Sequence, residues 1–174
     1  KLLKNLKKDY SGFKKINCAI LGDSATQFLK KSLIAQGFNF ELNLSIYEAD
    51  FNQIEMQIFD DDSELYKFKP DIVIIFHSSH KLLLKYNNTI DDDARITIAD
   101  DRIELISSIF NKINDNLDCK TLYYNYNEID DCVFGNYSNK VSSSFLFQLR
   151  KLNYNLMLFA SENPKFHVVD LSSI

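Results

Sequence analysis

Residues 16–38 read INCAILGDSATQFLKKSLIAQGF. The run 16–21 is apolar and short, as a buried strand is, and Gly22-Asp23-Ser24 breaks it. Ala25, Phe28, Leu29 and Leu33 then recur at helical spacing, which predicts a helix over residues 24–36 that Gly37 ends. A strand that turns tightly into a helix puts its turn at the carboxyl edge of a sheet, where open α/β sheets keep their ligand sites. The first N–H groups of such a helix add positive potential there. Ser24 therefore has two readings. It is a nucleophile at the tip of a strand, or it caps the helix, as Ser and Asp commonly do.

Outward from this stretch the apolar period keeps alternating. Residues 1–10 predict an N-terminal helix with Leu2, Leu3 and Leu6 as its apolar side. Phe38, Phe40, Leu42, Leu44 and Ile46 alternate strictly, as in a second strand with one polar face. Residues 51–68 carry short helices, the second capped by Asp62 or Ser63 and closed by Pro70. DIVIIF, residues 71–76, is apolar throughout and reads as a central third strand. A short helix follows in SSHKLLLKY, and a long one over residues 96–117 is striped by Ile103, Ile106, Phe110, Ile113 and Leu117. CKTLYYNY is the fourth strand and FHVVDL the fifth. Between them lies a last helix marked by Val141, Phe145, Leu149, Leu152, Leu156 and Phe159. Strands separated by helices of this length imply βαβ crossovers. The expected fold is a three-layer α/β sandwich with a five-stranded parallel sheet in the order 2-1-3-4-5. Residues 1–15 form a leading helix and 16–174 one α/β domain.

Composition limits the function. With 174 residues and 45% hydrophobic content, one well-buried domain is expected. The formal net charge is -4 and the basic residues are scattered beyond the leading KLLKNLKK, which argues against a nucleic-acid surface. No apolar run reaches the length of a membrane span, and no secretory signal is visible in a chain that starts at Lys1. A cytoplasmic protein is expected. Cys18, Cys119 and Cys132 lack metal-type spacing, and the first two fall in or beside strands as reduced core thiols.

Four strand ends converge in the expected topology: Gly22-Asp23-Ser24, Glu48-Ala49-Asp50, His77-Ser78-Ser79-His80 and Asn125-Tyr126-Asn127. The set is richer in polar groups than packing requires. Ser24 with His77 or His80 is a candidate nucleophile–base pair. Gly22 and Asp23, with amides from Asn125 and Asn127, are candidates for holding an oxyanion or substrate. The plain alternatives are helix caps and turn contacts. The acidic runs 60–62 and 91–93 read as solvated loops, so no metal site is expected, and His167 reads as a histidine packed within the fifth strand.

LGDSAT after a strand resembles the first block of SGNH (GDSL-type) hydrolases, in which Ser is the nucleophile. Those enzymes carry Gly-x-Asn-Asp after the third strand, where this chain has Ser78-Ser79-His80-Lys81. Their second-block glycine is likewise replaced, by Glu48-Ala49-Asp50. A closer resemblance spans most of the chain. AILGDSATQFLKKSL, SIYEADFNQIEMQIFDDDSELYKFKPDIVIIFHSSHKLL, YYNYNEIDD, FGNYSNKVSSSF, QLRKLNYNLM and FHVVDLSSI are similar, in order, to the N-terminal domain of FkbH-like proteins of the HAD superfamily, subfamily IIIC. This implies an SGNH-like α/β domain followed in the parent protein by a Mg-dependent phosphatase-type domain. It also implies glyceryl transfer onto an acyl carrier protein in polyketide or related biosynthesis. The HAD motif Asp-x-Asp-x-Thr is absent from these residues, so the chain is expected to be a fragment. It would be accessory to the downstream domain, hold no cofactor itself, and have that domain and an acyl carrier protein as partners. The competing expectation is an acyl-ester hydrolase or acyltransferase built on Ser24 with His77 or His80.

Overall fold

A computed structural model describes residues 2–173. The apolar run becomes β1 (Lys14–Gly22), whose second half is fully buried. After the turn come α1 (Gln27–Gly37), a 3₁₀ turn at Phe38–Phe40 and β2 (Leu42–Glu48). Then follow α2 (Ile54–Phe59), α3 (Glu64–Phe68) and β3 (Ile72–Phe76). The remainder is α4 (Ser79–Asn88), α5 (Asp92–Ile96), α6 (Ile98–Asn116), β4 (Lys120–Tyr124), a 3₁₀ stretch Gly135–Lys140, α7 (Phe145–Glu162) and β5 (Phe166–Val169). The strands pair in the order β2-β1-β3-β4-β5, all parallel, with helices on both sides. The sequence predicts this order.

The chain forms two compact units. The first runs to Phe76 and includes Lys112–Leu122; the second is His77–Asn111 with the chain from Tyr123 onward. In the first, β1 pairs with β2 from Lys14 opposite Leu42 to Ile20 opposite Glu48. On its other side β1 pairs with β3 from Cys18 opposite Ile72 to Gly22 opposite Phe76. Ala19, Ile20, Leu21, Val73 and Ile75 are fully buried there. Each large member contributes about 1.5–3 kcal/mol by leaving water. In the second unit, α7 buries Phe145, Leu149, Leu152 and Leu156, and Phe159 packs edge-on against both Phe110 and Phe166.

Several boundaries differ from the sequence reading. The leading helix is a 3₁₀ helix, Leu2–Lys7, and its buried residue is Asn5 rather than the leucines. Asn5 Nδ2 donates to the Ala35 carbonyl at 3.0 Å, so a polar clamp and not an apolar stripe fixes this segment. Helix α1 begins at Gln27, and Ser24 is not its cap. Phe28, placed on the apolar face by spacing, is 80% exposed, while Ala35 and Gly37 are buried. Gly37 is the last residue of α1, as the sequence predicts, but it keeps right-handed helical geometry and leads straight into the 3₁₀ turn. A Cβ there would stand 2.9 Å from the Leu42 carbonyl, so the glycine permits close packing against β2. The chain reverses instead at Glu41, in the left-handed region. Phe38 and Phe40 thus precede β2. Ser63, not Asp62, stands at the N-cap of α3. Asp91 is no loop acid either, since its side chain accepts from Asp93 N–H and caps α5. Val141 lies ahead of α7, and His167 on β5 is exposed rather than packed.

Candidate functional site

In the first unit the turn after β1 is held from two directions. Asp23 N–H donates to the Phe76 carbonyl at 3.1 Å, and Asn52 N–H to the Gly22 carbonyl at 3.3 Å. Gly22 is required by space, because a Cβ would meet Thr26 Cγ2 at 2.6 Å. Asp23 is buried and Ser24 half-buried, and the Ser24 hydroxyl donates to Asp23 Oδ1 at 3.2 Å. Thr26 occupies the N-cap position of α1 but makes no side-chain cap bond. Its hydroxyl donates to Glu48 Oε1 at 2.6 Å, and Lys30 Nζ lies 3.7 Å from Glu48 Oε2. The carboxylate at the end of β2 is therefore tied to the start of α1. Sequence reading named Glu48 but missed Thr26. β1 and β3 end at one edge, since Gly22 stands opposite Phe76.

In the second unit, His77 follows β3 and is 3% exposed. Its Nδ1 lies 2.8 Å from the Tyr123 hydroxyl, which lies 2.9 Å from the Tyr126 hydroxyl. Arg102 Nε donates to that second hydroxyl at 2.8 Å. His80 is exposed on the first turn of α4, where Ser78 Oγ accepts its backbone N–H. Asn125 bridges the ends of β4 and β5: Nδ2 donates to Asp170 Oδ1 at 2.7 Å, and Oδ1 accepts from Leu171 N–H at 2.8 Å. Hydrogen bonds from the Ser172 hydroxyl and the Asn125 amide hold the Asp170 carboxyl below its ordinary range. The Asn125 amide is thus committed to the protein, while Asn127 is exposed.

Two grooves flank α7. One, of about 580 Å³, is lined by Ile96, Ser142, Phe147 and Lys151. The other, of about 490 Å³, is lined by Asn125, Asn153, Met157 and Asp170. Arg150 and Tyr154 line both. Arg150 grips Glu128 with two bonds, Nε to Oε1 at 2.9 Å and Nη2 to Oε2 at 2.7 Å, and Nη1 donates to Asn139. The fork geometry holds the Glu128 carboxyl below its usual range.

Besides Thr26, sequence reading missed Arg102, Tyr123, Gln148 and Asn153, and it named Tyr126 only as part of the strand end Asn125-Tyr126-Asn127. The tyrosines pass for strand aromatics. Gln148 did leave a signal, being a polar residue within an apolar stripe. Its Oε1 accepts from Ala99 N–H at 3.0 Å and its Nε2 donates to the Ser142 carbonyl at 2.7 Å. Among the described residues, no group of three or more His, Cys, Asp or Glu side chains is placed to hold a metal ion, and no helix is long and apolar enough to cross a membrane.

The family described as FkbH, N-terminal domain, matches residues 17–174. The chain belongs to this family. The FkbH N-terminal domain also matches a crystal structure of the N-terminal part of the protein BF1531 from Bacteroides fragilis, a part that contains a phosphatase domain and is complexed with Mg. Identity is 39% and the TM-score 0.91, with 99% of this chain and 44% of that chain covered. The FkbH N-terminal domain therefore spans less than half of that relative's length. Among curated proteins it has no match.

Proposed function

We propose that this FkbH N-terminal domain, SGNH-like in fold, is an accessory domain of a HAD protein of subfamily IIIC. In this reading it positions an acyl carrier protein and its glyceryl group for a Mg-dependent phosphatase-type domain in the same polypeptide. The observation that carries it is the match of nearly the whole chain to less than half of a relative that contains a phosphatase domain with Mg. The committed side chains agree with it. Ser24 gives its hydroxyl to Asp23, whereas an activated serine needs a base that is itself held in line by a third group. Asn125 gives its amide to Asp170 rather than to an incoming oxyanion.

The competing reading, an acyl-ester hydrolase or acyltransferase using Ser24 with His77 or His80, draws on one fact. Ser24 does not cap α1, so capping does not account for it. Hydrolysis of short acyl esters and of a generic phosphomonoester by this chain, with Ser24→Ala and His80→Ala alongside, separates the two. The accessory reading expects no turnover of either substrate, and binding of an acyl carrier protein. Ester turnover that vanishes in Ser24→Ala overturns it and makes Ser24 the nucleophile.

A further inference from the structure

We propose that the outer face of α7, with the two grooves that flank it, docks the phosphatase-type domain of the same polypeptide, whose presence rests on the function proposed above. Helical spacing gives α7 two apolar sides. Phe145, Leu149, Leu152 and Leu156 are buried on one of them. At 3.6 residues per turn, Phe147, Tyr154, Met157 and Leu158 fall on the opposite side. Tyr154, Met157 and Leu158 are exposed in this chain, and Phe147 is half-buried. A surface helix turns charged and polar residues outward, whereas one that is apolar on opposite sides is built to be covered on both. The charges on the outer side, Arg150 and Lys151, are already paired with Glu128 and Asp100. Covering this side therefore strands no lone cation.

The face is also shaped and ordered. Arg150 and Tyr154 line both grooves and so form the ridge between them, all within the second unit. The two bonds to Glu128 fix the Arg150 guanidinium beforehand, so docking costs little side-chain freedom there. The course of the chain selects the occupant. β5 is an edge strand of the sheet, and the backbone after it passes Asp170 and Ser172, which line the second groove together with Tyr154 and Met157. The family is an N-terminal domain, so polypeptide that continues past β5 leaves at the lip of this apolar face. A domain tethered there by a short flexible linker meets the face at an effective concentration on the order of mM. A second copy of the chain has no such advantage.

The two methionines of the chain supply the test. Met157 is 58% exposed and Met56, on α2, is 55% exposed, so hydrogen peroxide should convert both to sulfoxide at similar rates in this chain. In the parent polypeptide Met157 is expected to slow about tenfold or more relative to Met56, because a covered side chain reacts only through opening. Peptide mapping by mass spectrometry reads both sites in one sample. Cutting the parent polypeptide back to its linker should return Met157 to the rate of Met56. Protection that survives this cut makes the linker the occupant and overturns the proposal. Protection that already appears in this chain alone and deepens with concentration overturns it in favour of a second copy. Protection that needs added acyl carrier protein overturns it in favour of that partner. A parent polypeptide without a phosphatase-type domain removes the proposed function and this surface together. One that has the domain and leaves Met157 as reactive as Met56 removes only the docking surface.

Discussion

At Gly22 a single hydrogen stands where a methyl group has no room, because Thr26 Cγ2 would be 2.6 Å from the new carbon. The severe clash is with one methyl group of one side chain, which makes it separable from the milder 3.3 Å approach to the Ser24 carbonyl oxygen. Gly22→Ala is expected to cost about 1–3 kcal/mol of stability, the usual range for forced overpacking. Thr26→Ser deletes Cγ2 but keeps the hydroxyl that binds Glu48, so it should recover most of that loss in the double variant. Urea denaturation of the four proteins gives the coupling energy directly. Additive losses would show that the backbone of the turn, not the methyl contact, requires glycine. The sequence identified Gly22 as a breaker of the strand, but not why it is glycine. The reason lies four residues on, in a threonine held by the end of the next strand.

Helix α7 was the most readable element, and α1 shows the opposite case. In α7 the stripe of Phe145, Leu149, Leu152 and Leu156 is large, periodic and wholly buried, so hydrophobic spacing alone gives its inner face. In α1 the packing is set by small residues, Ala35 and Gly37, and by a buried asparagine reaching in from the chain start. Apolar spacing therefore pointed to Phe28, which the fold leaves in water. The candidate site was partly legible for a similar reason. Residue types at strand ends follow from the topology, but whether Ser24 meets a carboxylate or an imidazole depends on contacts that spacing does not encode. For α7 the contrast is measurable. Leu152→Ala should destabilise by about 2–5 kcal/mol through loss of packing and the cavity left behind. Tyr154→Ala, on the exposed side, should stay within about 0.5 kcal/mol. Comparable losses at both positions would mean that the outer face is also covered in solution.

For the molecule as a whole, strand order was legible because right-handed crossovers leave few arrangements for five parallel strands. The cysteines report how firmly that arrangement is closed. Cys18 lies between partners on β2 and β3, opposite Ile46 and Ile72, and burial with the nearby Asp71 carboxylate pushes its thiol up to about 11. Cys119 is buried, whereas Cys132 is exposed. Thiolates, not thiols, are the nucleophiles, so native-state alkylation at neutral pH should mark Cys132 at the rate of an open cysteine. Cys18 and Cys119 should lag by the opening equilibrium, on the order of 10³–10⁸ for a stable small domain. Peptide mapping by mass spectrometry assigns each phase, and Cys132→Ser should abolish only the fast one. The pH dependence has a definite sign. A thiol raised in the fold contributes stability that is complete below its ordinary value near 9.0 and lost as pH climbs through about 11. The urea midpoint should therefore fall between those limits while Cys18 labelling accelerates beyond the simple gain in thiolate. Labelling of Cys18 as fast as Cys132 at neutral pH would mean that the centre of the sheet opens without global unfolding.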